Sequence, residues 1–517
     1  MMRPVRLRWL LGALAASALL VLAACSTPAE KPYSKSVSLD GYQTTATLSE
    51  QDSTRIADCT SFGSANDVRY TYTLFDTTDG AQDVVFKPEH PVTAGGADLA
   101  ADAWNKDLVL YVHGFIDPYD TTPFTDYVNQ PDFVQTRDQL LCQGFALAAS
   151  SFSANGYAIA EGIEDTHLVN AVFADYYEQP NHSYLVGSSM GALITVALAE
   201  TFPTRYAGGM PTCGPIGGSL MEFNYIGNER ILFDHYLPGP SGSYLGGDLL
   251  NPADPPPADL ATLVATAVAA NPSGFSSLEN TWLSITSLGG VALPSTLTMP
   301  AVQSPQAYGL TAVDLGVPSQ LMPFIAQYAL GRALRYHVVG AKDLLARAGG
   351  SPFDNTSTTY TDLTDAVPTA KSWTTLTGDP PYAPDAVAVN HALQAYQPTG
   401  DTSVPLLALH TYIDPDVPLH HEYAYAALAA LHPGTDLQTY VVLGIVPDDL
   451  RTQVEQLFPG ITLPNASPFG HCNFATSDLA AGLGILVSHV EQGAPWPAPG
   501  SPGIPASFGD LPALPTP

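Results

Sequence analysis

Beyond residue 107, short apolar runs suited to strands alternate with longer runs suited to helices, and this alternation leaves the chain few architectures. The strand-like runs are residues 107–115, 145–152, 182–186, 206–214, 404–412 and 437–444. The helix-like runs are 122–142, 160–177, the stretch after Met190, 419–431 and 477–490. Strands and helices at this spacing predict a mostly parallel central sheet flanked by helices, with chemistry gathered at the carboxyl ends of the strands. Residues 215–395 interrupt the pattern. They are rich in Pro and Gly but hold apolar helical runs such as ADLATLVATAVAA, and Leu321, Ile325, Tyr328 and Ala329 share one helical face. A large, mainly helical cap insertion is expected there, either as packing alone or as a lid shaping an apolar pocket over the sheet's edge.

One of these boundaries is unusually sharp. In NHSYLVGSSMGALITVALAETF (Asn181 to Phe202) an alternating strand gives way at Gly187-Ser188-Ser189-Met190-Gly191 to a helix rich in small residues. A serine held at such a bend has its hydroxyl lifted clear of the backbone, where a nucleophile would be put. The G-x-S-x-G spacing is weak by itself in a chain with 43 glycines. Its position between a strand and a helix is what a nucleophile elbow requires: the glycines admit the strained turn and the tight strand–helix contact.

A serine hydroxyl is a poor nucleophile at neutral pH, so an imidazole must take its proton and a carboxylate must orient that imidazole. Such partners are expected in the order Ser, Asp, His. Asp414 of IDPDVP lies just past the strand of 404–412, with Asp416 as the fallback; Asp401 precedes that strand and falls at the wrong edge of the sheet. His471 of SPFGHCNF sits in a glycine-bounded loop ahead of the last helix, whereas His489 lies inside that helix. The catalytic candidates are therefore Ser189, Asp414 and His471. The oxyanion needs two preorganised donors. The backbone N–H groups of Met190, after the nucleophile, and of Phe115, closing the strand YVHGF, are the candidates; His113 is expected to hold that loop.

Together YVHGF, GSSMGA, IDPDVP and GHC, in this order on this pattern, resemble the α/β-hydrolase superfamily. SANGYAIAEG, PTCGP, SPFDN and GHCNF are similar to stretches of exported bacterial hydrolases of that superfamily, esterases or peptidase-like proteins. The resemblance covers about residues 105–215 and 400–492. It implies a mostly parallel central sheet and the triad positions above, and it leaves the substrate open. The family usually has a short loop before the histidine; a short helix such as Asp448–Leu457 would fill the longer stretch here. Cys472 adjoins the proposed base and Cys213 follows the strand beside the elbow, so a Cys213–Cys472 bridge is expected, leaving Cys59 with Cys142. None of the cysteines forms a CxxC pair, which argues against structural zinc.

The start of the chain sets the compartment. Arg3, Arg6 and Arg8 precede an apolar run ending in Leu22-Ala23-Ala24-Cys25, an export signal over residues 1–24. LAAC resembles the bacterial lipoprotein box, which implies a lipidated Cys25 and a cell-envelope lipoprotein anchored to the membrane. The expected domains are then a tether over 25–60, hydrolase core at 61–214 and 396–493 around the insertion, and a Pro-rich tail at 494–517. A net charge of −31 is repelled by nucleic-acid phosphates and anionic headgroups, which argues against nucleic acid as a partner. No nucleotide, phosphate or zincin motif occurs, so no cofactor or metal is implied. The leading expectation is a serine hydrolase acting on small or lipophilic carboxylic esters. A peptidase of prolyl-oligopeptidase-like type and a non-catalytic binding lipoprotein on the same fold are the alternatives.

Overall fold

The computed structural model describes residues 33–283, 322–361 and 369–512, apart from 447, 462, 464, 468 and 469. The leader, Cys25 and Leu321 lie outside the described residues.

An 11-stranded sheet forms the centre. Its strands, in chain order, are β1 (Ser34–Leu39), β2 (Tyr42–Ala57), β3 (Asp67–Thr77), β4 (Gln82–Val92), β5 (Asp107–Val112), β6 (Ala146–Ser150), β7 (His182–Ser188), β8 (Gly208–Thr212), β9 (Leu406–Thr411), β10 (Leu437–Val442) and β11 (Phe508–Asp510). Their spatial order is β1-β2-β3-β4-β6-β5-β7-β8-β9-β10-β11. The run β6-β5-β7-β8-β9-β10 is parallel, and β1 to β4, the β4–β6 pairing and the β10–β11 pairing are antiparallel. The parallel strands are covered on both faces, as in β8 and β9, where every residue is buried, and this is why they read as continuous apolar runs.

Three expectations are corrected here. The sheet is mixed rather than mostly parallel, because the chain ahead of Asp107 adds a four-stranded antiparallel meander. The expected tether is largely part of that meander: from Ser34 it pairs as β1 and β2 around a two-residue turn at Asp40-Gly41, both with positive φ. Two such residues in succession match the twist of a hairpin, and Asp-Gly is the sequence that tolerates them. The Pro-rich tail is also partly structured, since Phe508 is buried where β11 closes the far edge against β10.

Among the described residues, the helices of ten or more residues are α1 (Pro131–Cys142), α2 (Ile159–Tyr176), α3 (Met190–Thr201), α4 (Ser219–Tyr236), α5 (Leu260–Ala270), α6 (Pro272–Leu283), α7 (Met322–Ala348), α8 (Ala386–Ala395), α9 (His420–Ala429), α10 (Asp448–Leu457) and α11 (Thr476–Gln492). Helix α10 fills the stretch ahead of the histidine loop, as expected. The expected helix over 122–142 is two pieces, Phe124–Tyr127 and α1. Between β8 and β9 the chain builds a second apolar core, in which Tyr225, Leu232 and Phe233 of α4 pack with Leu334 and Val338 of α7 and with Tyr360. Tyr328 of the expected α7 stripe packs instead beside Phe324 against Val446, Leu450 and Val454. Arg347 ties α7 to the rest of the fold through Glu161 (2.8 Å) and the carbonyl of Asn155 (2.6 Å).

Candidate active site

Ser189 stands between β7 and α3 with φ 56° and ψ −128°, a backbone conformation that L side chains rarely adopt. Three glycines make that turn possible by close approach. A Cβ at Gly187 would run into the Gly191 carbonyl and Thr195 Oγ1, and one at Gly191 would meet the carbonyls of Val112 and His113 at the end of β5. At Gly214 it would strike Ala192 and the Ser189 carbonyl. The Ser189 N–H donates to the Thr212 carbonyl (2.9 Å), which anchors the turn to β8.

His471 lies in the loop before α11, tied to the end of β9 by the Gly470 N–H donating to the Ile413 carbonyl (3.0 Å) and by Thr411 Oγ1 donating to the Gly470 carbonyl (2.6 Å). A disulfide between Cys213 and Cys472 fastens the next residue to the end of β8, and a second joins Cys59 to Cys142. Both bridges are the expected pairings. The loop thus held brings His471 Nδ1 within 2.8 Å of Asp414 Oδ2 and Nε2 within 2.8 Å of Ser189 Oγ. With its Nδ1 proton donated to the carboxylate, the ring presents Nε2 as an acceptor for the serine hydroxyl.

Asp414 is fully buried, and its other oxygen accepts the N–H groups of Asp416 (2.9 Å) and Val417 (3.0 Å). These two bonds close a turn that aims Oδ2 at the imidazole. Asp416, the fallback acid, instead accepts from Arg332 Nη2 of α7 at 3.0 Å, and Asp401 sits on the surface 3.6 Å from His432. Burial of His471 works against its positive charge, but Asp414 and Asp416 outweigh burial and the opposing Arg332, and hold its pKa above the usual histidine value. His113 has the opposite character. Its ring stacks on Phe152 at 3.8 Å, its Nδ1–H donates to the Gly114 carbonyl (2.7 Å), and burial lowers its pKa to about 4. It is a neutral ring that holds the loop. His489 packs on Trp496 and bonds to Asp436 (2.7 Å), away from Ser189.

A cavity of about 50 Å³ opens beside Ser189, bordered by Phe115 and Met190 from the core and by Glu222, Phe223, Ile226, Tyr336 and Gly340 from α4 and α7. That is room for a few waters. Met190 is the first residue of α3, where backbone N–H groups have no intrahelical acceptor. A Cβ on Gly114 would lie 3.0 Å from Ser189 Cβ, so the bare glycine lets the chain at Phe115 run alongside the serine. The expected donors Met190 and Phe115 therefore both flank Ser189. Sequence analysis did not single out Glu222, Arg332 or Tyr336. The helix of Arg332 and Tyr336 read only as an apolar stretch, that of Glu222 was not recognised, and no spacing motif links them to residues 189, 414 or 471.

No family model matches the chain, and no curated protein matches it. Solved structures that it resembles include the rice cell wall degrading esterase LipA from Xanthomonas oryzae in a ligand-bound form, with 11% identity, 75% of this chain and 89% of that one covered, and a TM-score of 0.34. An esterase from Aspergillus oryzae is 12% identical over 87% of each chain with a TM-score of 0.41. An esterase from Pyrococcus furiosus is 12% identical over 76% of this chain and 86% of that one, at 0.32.

Proposed function

We propose that this chain is a serine hydrolase of the α/β-hydrolase type that cleaves carboxylic esters through a covalent acyl-enzyme. The observation that carries this reading is the unbroken relay from Ser189 Oγ through His471 to Asp414, with 2.8 Å at both steps, starting from a strained elbow. Ser189 attacks the ester carbonyl as its proton passes to His471 Nε2, and Asp414 offsets the imidazolium that forms. The Met190 and Phe115 N–H groups receive the oxyanion, each worth about 3 to 4 kcal/mol in the transition state. The imidazolium then protonates the leaving alcohol, and water, activated by the same ring, releases the acid.

In this reading residues 215–395 act as a cap. Its α4 and α7 close an apolar wall over the serine, which favours a small acyl group with an apolar part. The two disulfides fit an oxidising compartment, and no helix among the described residues is long and apolar enough to cross a membrane. We assign the chain to the cell envelope, held by a lipid on Cys25.

Fluorophosphonate labelling tests the mechanism. Label is expected on Ser189 and absent in Ser189→Ala, whose kcat should fall by about 10⁴-fold or more on aryl esters. A wild-type protein that takes no label would point to a binding protein, and turnover of proline or alanine anilides in preference to aryl esters would point to a peptidase.

A further inference from the structure

The cavity beside Ser189 is largely apolar, yet Glu222 reaches it from the first turn of α4 while only 7% exposed. His421 decides which Glu222 oxygen is left free. The Gly217 N–H donates to His421 Nδ1 at 3.0 Å, so that nitrogen bears no proton and the neutral ring carries its one proton on Nε2. Nε2–H then donates to Glu222 Oε2 at 3.0 Å. His421 stays neutral because it is buried, with His410 and His420 close by to oppose a further positive charge.

Glu222 meets the opposite pressure. It is buried, and Asp414 and Asp416 both disfavour another negative charge beside them, so its pKa is raised well above the carboxylate range. The nearby guanidinium of Arg332 is engaged by Asp416. A protonated Glu222 whose Oε2 accepts from His421 carries its own proton on Oε1. The Tyr157 ring borders the same cavity, with its hydroxyl buried near Ser219.

We propose that Glu222 is a specificity-determining residue, a neutral carboxylic acid whose Oε1–H donates to an oxygen of the substrate beside the scissile ester. The site would then prefer esters bearing an ether, hydroxyl or ketone oxygen near the carbonyl over plain alkyl esters of the same length. This rests on the ester-hydrolase reading above.

The test compares 4-nitrophenyl methoxyacetate with 4-nitrophenyl butanoate, acyl groups that differ by one oxygen in place of a methylene. The ratio of their kcat/KM values, divided by the ratio of their rates with hydroxide, removes intrinsic reactivity. Wild type is expected to favour the methoxy ester about tenfold. Glu222→Gln should keep that preference, because His421 Nε2–H holds the amide oxygen and turns the amide N–H toward the cavity, and Glu222→Leu should lose it. No preference in wild type, or an undiminished one in Glu222→Leu, would overturn the proposal. Calorimetric affinities of the two intact esters for Ser189→Ala separate the two claims. Equal affinities there would remove the role of Glu222 and leave hydrolysis standing. A methoxy preference in binding, with no turnover by wild type, would keep Glu222 and remove hydrolysis.

Discussion

Ser189, Asp414 and His471 each depend on a neighbour for aim: a strained backbone for the serine, a turn of two N–H donors for the carboxylate, a disulfide beside the imidazole. The surrounding charges set the proton affinity of His471. In the proposed mechanism His471 must be neutral to accept the serine proton, and because it is held above its ordinary value, kcat/KM should rise with pH to a plateau whose midpoint lies above about 6.5. Asp416→Asn removes one of the charges that raise it and leaves Arg332 without its carboxylate. The midpoint should therefore move to lower pH, by about one pH unit, in initial-rate profiles. An unmoved midpoint would mean that Asp416 has no electrostatic hold on the base. At this scale the sequence was most informative where a residue's role follows from local context, as at the elbow and in the choice of Asp414 over Asp401. It was silent on Glu222 and Arg332, because their partners His421 and Asp416 lie far along the chain.

Among the elements, contact between α3 and the carboxyl end of β5 positions Ser189. Gly191 is the residue that permits it, since any Cβ there would collide with two backbone carbonyls that have no alternative position. Gly191→Ala should destabilise the fold by about 3 kcal/mol or more in urea titration and lower the yield of label at Ser189. Gly484→Ala is the contrasting case: it lies on the exposed face of α11 with nothing within 4 Å of its added Cβ, and should stabilise by about 0.5 to 1 kcal/mol. Equal effects from the two substitutions would show that close approach is not what glycine provides at the elbow. The elements from β5 to β8 and from β9 to α11 were legible because their apolar runs are continuous or periodic. β1 to β4 were missed although Asp40-Gly41 and Asp79-Gly80 carry hairpin chemistry. Much of β2 is polar and exposed, so it lacks the apolar run by which a strand is recognised.

Across the whole molecule, buried ionisable groups set how stability responds to pH. Burial raises the carboxyls of Asp83, Glu222 and Glu229 well above their usual range, Asp165 to about 7 and Glu422 to about 8. Burial also lowers His113 to about 4 and His337 and His421 well below the histidine value. In the unfolded chain the carboxyls ionise near pH 4 and the histidines near 6.5. Between those values the folded carboxyls hold protons that the unfolded chain has lost, the folded histidines lack protons that it has gained, and the two slopes oppose. Above pH 6.5 the carboxyl contribution remains, the folded state binds more protons, and stability falls as pH rises toward 8. The thermal midpoint should drop steadily between pH 6.5 and 8 in calorimetry. Glu422→Gln should flatten that drop, since no proton is then bound at that position in either state. A midpoint that rises over this interval would contradict the burial of these carboxyls.

Local pattern by itself determined the succession of strands and helices from β5 to β8 and from β9 to α11, the elbow at Ser189 and the order of the three side chains that meet there. Each of these is written in residues adjacent in the chain, where period, turn chemistry and small side chains act within a few bonds. Tertiary structure alone decided that the sheet is mixed, that residues of α4 and α7 border the cavity beside the serine, and that Glu222 and Arg332 join its surroundings. Those outcomes depend on which buried groups end up side by side once water is excluded, and burial, charge and hydrogen-bond direction at such contacts exist only in the folded chain.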